Sequence, residues 1–224
     1  MFQGFSNKTF EFFMAIRFNN NRDFFHDNHD WYVNAVRQPG LDLAQALSPA
    51  VEALDENLER RPNRVLSRIN RDIRFSNDKS PYRDHIWLAF HLLGDSEKNM
   101  PCAYFDLGLD GGAYGFGMYH ANKPLMNALR RELSANPDPF LEAWLPICQE
   151  FTLYGNAIKR MAVPDDLPDS LKPWYNLRGF YLEKEIQDFD LLKSAHLADE
   201  ISGGMARFAP LFRYFQRLTP VESD

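Results

Sequence analysis

Cys102-Ala-Tyr-Phe-Asp-Leu-Gly-Leu-Asp-Gly-Gly-Ala-Tyr-Gly-Phe-Gly-Met118 is the stretch that decides the fold. Residues 102–109 are rich in aromatic and branched apolar side chains, as a strand requires. Asp110-Gly111-Gly112 predicts a tight hairpin turn, because glycine adopts the positive φ that such turns demand. Ala113 to His120 is then the returning strand, with Tyr114, Phe116 and Met118 facing one way. Gly115 and Gly117 face the other, leaving room for a helix or ligand to approach the backbone.

Upstream, His85 to Leu93 has the same strand composition, and downstream Phe151 to Met161 offers short strand candidates. Gly179 to Ile186 sets Phe180, Leu182 and Ile186 against Tyr181, Glu183 and Glu185, a strand with one wet side. The flanks read as helix. Thr9, Phe10, Phe12, Phe13 and Ile16 recur with helical period behind Ser6 as N-cap. After the turn signal Asn19-Asn20-Asn21, Phe24 to Val36 predicts a second helix ending before Pro39-Gly40. Leu41 to Arg60 is further helix, kinked or restarted at Pro49 with Ser48 as cap. Pro124 to Leu133 and Pro137 to Gln149 are two more, and Pro164, Pro168 and Pro173 mark a turn-rich bridge. From Ser194 the chain predicts an amphipathic helix weakened by Gly203-Gly204 and Pro210. The expected architecture is one α+β domain over residues 1–224, a central antiparallel sheet flanked by N-terminal and C-terminal helices.

Composition narrows the function. The 224 residues are 45% hydrophobic and 25% charged with 19 Phe, which is globular usage with a bulky aromatic core. A net charge of −6 disfavours general nucleic-acid binding. Cys102 and Cys148 have no disulfide or zinc spacing, and Phe10 to Ile16 is too short for a signal peptide or membrane span. A cytoplasmic protein without a membrane segment is expected.

One segment departs from this acidic background. Arg60 to Arg83 holds seven Arg and one Lys against Asp72 and Asp78, a net +6, so the remainder of the chain carries −12. Such contrast focuses anions locally. Val65, Ile69 and Ile73 fit a helical period, while Ile69, Ile73 and Phe75 fit alternation. A strand would put Arg68, Asn70, Asp72 and Arg74 on one face, and a helix would group Arg64, Arg68 and Arg71. In both arrangements guanidinium groups converge that can fork onto a phosphate or carboxylate. Ser76 to Tyr82 reads as a loop.

The same segment carries a resemblance. Arg68, Arg71, Asp72, Arg74, Phe75, Asp78, Lys79 and Tyr82 match the hallmark of the bacterial family catalogued as domain of unknown function 2461. The similarity extends through Asn19-Asn20, Gly111-Gly112, Lys159-Arg160 and the strand after Arg178, about residues 5–217. It implies a shared fold and brings no activity with it.

Two readings of the cluster follow. In the first, Arg68, Arg71 and Arg74 bind a small phosphate- or carboxylate-bearing ligand, Lys79 adds diffuse charge, Asp72 and Asp78 orient guanidinium groups, and Tyr82 with Phe75 forms a wall. In the second, the same residues are a structural ion-pair network in a protein-interaction or scaffold module. Whether the chain is an enzyme is left open. Catalysis by the cluster would be electrostatic, with Asp72 as a base. No cofactor or metal is called for: His26, His29 and Asp30 lack a further ligand at recognisable spacing, and Gly111 to Gly117 lacks a strand-to-helix context. Glu183 and Glu185 could form an acid–base pair, although a solvated strand face explains them as well.

Overall fold

The structure, a computed structural model, describes residues 1–74, 77–94, 100–118 and 120–218. Its elements run α1 (Asn7–Phe18), α2 (Arg22–Asp27), α3 (His29–Tyr32), a π-helical turn (Val33–Arg37), α4 (Gln38–Leu54), α5 (Pro62–Val65), β1 (Ile86–Phe90), β2 (Cys102–Gly108) and β3 (Gly111–Gly117). They continue with α6 (Lys123–Ala135), α7 (Asp138–Trp144), β4 (Thr152–Ala157), α8 (Lys172–Tyr175), β5 (Leu177–Ile186), α9 (Phe189–Leu192) and α10 (His196–Arg217). The five strands form one antiparallel sheet in the order β1-β2-β3-β5-β4, flanked by helices from both ends of the chain. The fold is α+β.

Register separates the two sheet faces. Leu88 pairs with Phe105, Phe105 with Tyr114, and Phe116 with Leu182, so these apolar residues share one face, and all are buried. Helix α10 lies on that face. Its Phe208, Phe212 and Phe215 bring their ring centroids within 5.0, 5.5 and 6.2 Å of Phe116. Burying each such ring contributes about 1.5–3 kcal/mol, which makes this aromatic layer the main tie between sheet and C-terminal helix.

Glycine in α10 is there for contact. A Cβ at Gly204 would overlap the Tyr114 ring, whereas one at Gly203 would meet the tip of Arg207 at 3.1 Å. Tyr114 in turn donates to Glu200 (2.7 Å), and Glu200 and Glu150 share Lys184 at 2.7 and 2.9 Å. Arg207 adds a 2.6 Å bond to Glu150, so an ion-pair network joins β3, β5, α10 and the segment before β4.

Several expectations are corrected. The second helix does not stop before Pro39-Gly40, because the π turn hands the chain directly to α4 and Pro39 falls in its first turn, where a missing N–H costs little. Pro49 stays inside α4 without starting a new helix. That helix ends at Leu54 and not Arg60, since Leu58 bridges Leu92 and Glu59 N–H donates to His91 O at 2.8 Å. Helix α7 stops at Trp144, two residues short of Pro146. The hairpin turn is Leu109-Asp110, one step earlier than expected, and Gly111 opens β3 with φ of +129°. The strand ends at Gly117, and Tyr119 lies outside the described residues. Among the described residues no helix is long and apolar enough to cross a membrane.

Candidate functional site

The basic segment is neither helix nor strand beyond α5. Pro62 starts that single turn, and the chain then runs along the free edge of β1. Ser67 N–H donates to Trp87 O (2.8 Å), and Trp87 N–H donates to Ser67 Oγ (3.0 Å). Asn70 bridges Tyr82, while Arg71 N–H reaches Pro81 O (2.9 Å) and Arg83 N–H reaches Ile69 O (2.8 Å). Residues 69–71 and 81–83 are therefore tied to each other. Asn20, from the Asn-rich turn, clamps Tyr82 by accepting from its N–H (3.0 Å) and donating to its carbonyl (2.9 Å). Tyr82 is buried, with its ring stacked 4.2 Å from Phe25.

Most of the expected cations are spent within the segment. Arg71 pairs with Asp78, and Arg74 forks onto Asp72 through Nε–Oδ1 (2.9 Å) and Nη2–Oδ2 (2.7 Å). Lys79 Nζ donates to Ile73 O at 2.9 Å. Arg83 Nη1 donates to the carbonyls of Arg68 (2.6 Å) and Asn70, and its guanidinium covers Trp87 at 4.7 Å. Hydrogen bonding from Arg74 lowers the Asp72 carboxyl to about 2. Bonds from Ser80, and then Arg71, lower Asp78 to about 2. Phe75, expected as a wall, lies outside the described residues.

Arg68 behaves differently. It is exposed, and it borders a cleft of about 400 Å³ between α2, α3 and residues 63–70, together with Arg37, His29, Asn63, Ser67 and Asn70. Phe25 and Tyr32 supply the ring walls. Arg37 Nη2 donates to the neutral Asn63 Oδ1 (2.8 Å), and its charge lies close enough to Tyr32 to oppose the upward shift that burial gives the phenol. No carboxylate lines this cleft among the described residues. Of the residues expected to act together, Arg68 borders it and Tyr82 packs behind Phe25. Arg71, Asp72, Arg74, Asp78 and Lys79 belong to the neighbouring loop. Arg37 has no local motif, and only the fold brings it to Arg68.

The sheet face turned away from α10 is polar and half-exposed. Gly115 separates Tyr104 from Glu183 in register, and the Tyr104 hydroxyl donates across it to Glu183 Oε2 at 2.9 Å. Nearby, Asp84 accepts from Arg17 Nε (2.5 Å) and bonds His85 Nδ1 (3.2 Å), while the His85 ring stacks on Trp87 at 5.7 Å. Burial raises the Asp106 carboxyl, with Glu183 adding to the shift and His85 opposing it. Burial would also raise Asp84, yet the bonds from Arg17 and His85 outweigh it and hold that carboxyl low. A cleft of about 400 Å³ thus sets Asp106, raised by burial, near Asp84, held low by Arg17 and His85, with Asp110, Glu183 and Glu185 also in its lining. The alternation of Tyr181, Glu183 and Glu185 signals this face in the sequence, whereas His85 and Asp106 carry no local signal.

A model of the family described as "Conserved hypothetical protein (DUF2461)" matches residues 8–214. No curated protein matches the chain.

Proposed function

The chain belongs to the DUF2461 family of conserved hypothetical proteins, and from that footing we propose that its basic segment binds a small phosphate- or carboxylate-bearing anion in the cleft shared by Arg37 and Arg68. The observation that carries the reading is the lining: two guanidinium groups and His29, with no carboxylate among the described residues that border it. In a chain of net charge −6, that is a local reversal of sign. A unit charge at 4 Å from another interacts by about 4 kcal/mol near a protein surface, so an anion reaching either guanidinium gains more than in open solvent. Ser67, Asn63 and Asn70 supply neutral donors around it, and the overall negative charge works against a polyanion. Neither cysteine forms a disulfide, in keeping with a reducing cytoplasm.

The second reading, a structural ion-pair network, is favoured for the adjacent loop by the pairing of Arg71 with Asp78 and of Arg74 with Asp72. It leaves Arg37 and Arg68 unexplained. Thermal melts with phosphate, sulfate, sugar phosphates and dicarboxylates separate the two. An anion at a hundredfold excess over its Kd stabilises by about 2.7 kcal/mol. Arg68→Ala and Arg37→Ala should each abolish the shift, while Arg74→Ala should retain it. Loss in Arg74→Ala alone, or no shift with any of these anions, refutes the cleft assignment.

A further inference from the structure

A third cleft, of about 600 Å³, opens at the other edge of the sheet, where β4 and the start of β5 meet Met118 and Ala121. Its polar lining is Asn156, Lys159 and Arg178, and again no carboxylate borders it among the described residues. Lys159 and Arg178 are both exposed and make no ion pair among the described residues. They are neighbours because Ile158 N–H donates to Asn176 O (2.8 Å) and Oδ1 (3.1 Å), which closes the β4–β5 end on itself. The register shifts between Gly155 and Ala157, and a Cβ at Gly155 would overlap the Gly179 carbonyl, so bare backbone forms part of the wall.

Tyr181 also lines this cleft and is 42% exposed. It sits opposite Tyr154 in register, and the two rings stack at 5.1 Å with 15° between planes. The Tyr154 hydroxyl donates to Glu185 Oε1 at 3.3 Å, which fixes the pair. A paired aromatic surface therefore stands beside two cations that make no ion pair among the described residues. We propose that this cleft binds an aromatic phosphate of nucleoside-monophosphate type, its base stacked on the Tyr154–Tyr181 pair and its phosphate held by Lys159 and Arg178. The volume suits such a ligand. Glu183 and Glu185 continue the same face of β5 beyond Tyr181, so a longer phosphodiester chain would meet carboxylates there, which restricts the site to a mononucleotide.

Calorimetric titration of the full chain with AMP, ribose 5-phosphate and adenosine tests this. AMP should bind about tenfold or more tightly than ribose 5-phosphate, because base stacking is lost in the latter. Tyr181→Ala, with Tyr181→Leu to keep apolar cover on the strand, should bring AMP down to the ribose 5-phosphate level. Arg178→Ala should weaken AMP part of the way, and the double variant Lys159→Ala/Arg178→Ala should bring it down to the adenosine level. Arg68→Ala removes phosphate binding at the cleft bordered by Arg37 but should leave the preference for AMP over ribose 5-phosphate intact, which keeps the two clefts separate. The proposal is overturned if AMP does not bind, if it binds no better than ribose 5-phosphate, or if its binding responds to Arg68→Ala and not to the Tyr181 and Arg178 substitutions.

Discussion

Gly203 and Gly204 are adjacent in α10, yet replacing each by alanine should change stability in opposite directions. Helix propensity alone favours both replacements by about 1 kcal/mol, since alanine loses less backbone entropy than glycine in a helix interior. At Gly203 little opposes this gain, because the added methyl meets only the end of the Arg207 side chain at 3.1 Å. At Gly204 the methyl overlaps the Tyr114 ring. Tyr114 is fully buried, edge-on to Phe151 at 5.8 Å and bonded to Glu200 at 2.7 Å, so it has nowhere to retreat. Overpacking of a filled core costs roughly 1–3 kcal/mol, and moving α10 outward would also loosen the Phe116 contacts with Phe208 and Phe212. The expected net result is a loss of about 1–2 kcal/mol for Gly204→Ala and a gain of up to about 1 kcal/mol for Gly203→Ala. Urea melts followed by circular dichroism give both values, and at this chain length 1 kcal/mol moves the melting temperature by about 2–4 °C. A Gly204→Ala protein as stable as its Gly203→Ala counterpart would refute the packing argument.

Three further outcomes follow from the charged groups and the glycine floor. Burial works to raise Glu150 and Glu200, but hydrogen bonds from Arg207, Lys184 and Tyr114 outweigh it and leave both carboxyls below the ordinary 4.5. Their stabilisation is complete above that value and is lost as pH falls through the folded-state values, so Lys184→Met should cost about 1–2 kcal/mol in urea melts at pH 7, less than a fully buried pair, and much less at pH 3. Asp106 has the opposite sign: its carboxyl is raised by burial, so its charging penalises the fold as pH rises through the unfolded-state value. Asp106→Asn should therefore raise the melting temperature at pH 7 and leave it unchanged at pH 3, and a drop at pH 7 would contradict the assignment. Gly115→Ala should lose several kcal/mol, about 2 or more, because its methyl would collide with the Leu182 carbonyl, a backbone atom that cannot swing aside; soluble yield and melting temperature report this.

The strands are legible in the sequence because alternation there coincides with burial, as in Phe180, Leu182 and Ile186 against Tyr181, Glu183 and Glu185. Helix boundaries are less so. Pro39 looks like a stop, and only the π turn before it shows that the missing N–H falls where none is needed. Gly204 looks like a weakness and is a contact, which depends on Tyr114 arriving from a distant strand. The site follows the same pattern. The excess of arginine over aspartate in residues 60–83 is visible as composition, but which arginines keep a free charge is decided by tertiary geometry. Asp72 and Asp78 neutralise their own neighbours within the loop, while β1 holds Ser67 and thereby sets Arg68 beside Arg37. No local spacing records that meeting.

In the proposed function Arg37 and Arg68, and not Arg71 and Arg74, receive the anion. Titrating inorganic phosphate while following the arginine Nε–H signals by NMR reads all four groups at once. Saturable shifts at Arg37 and Arg68, with Arg71 and Arg74 unmoved, are the expected result. Saturable shifts confined to Arg71 and Arg74, or no saturable shift at any of the four, would contradict it.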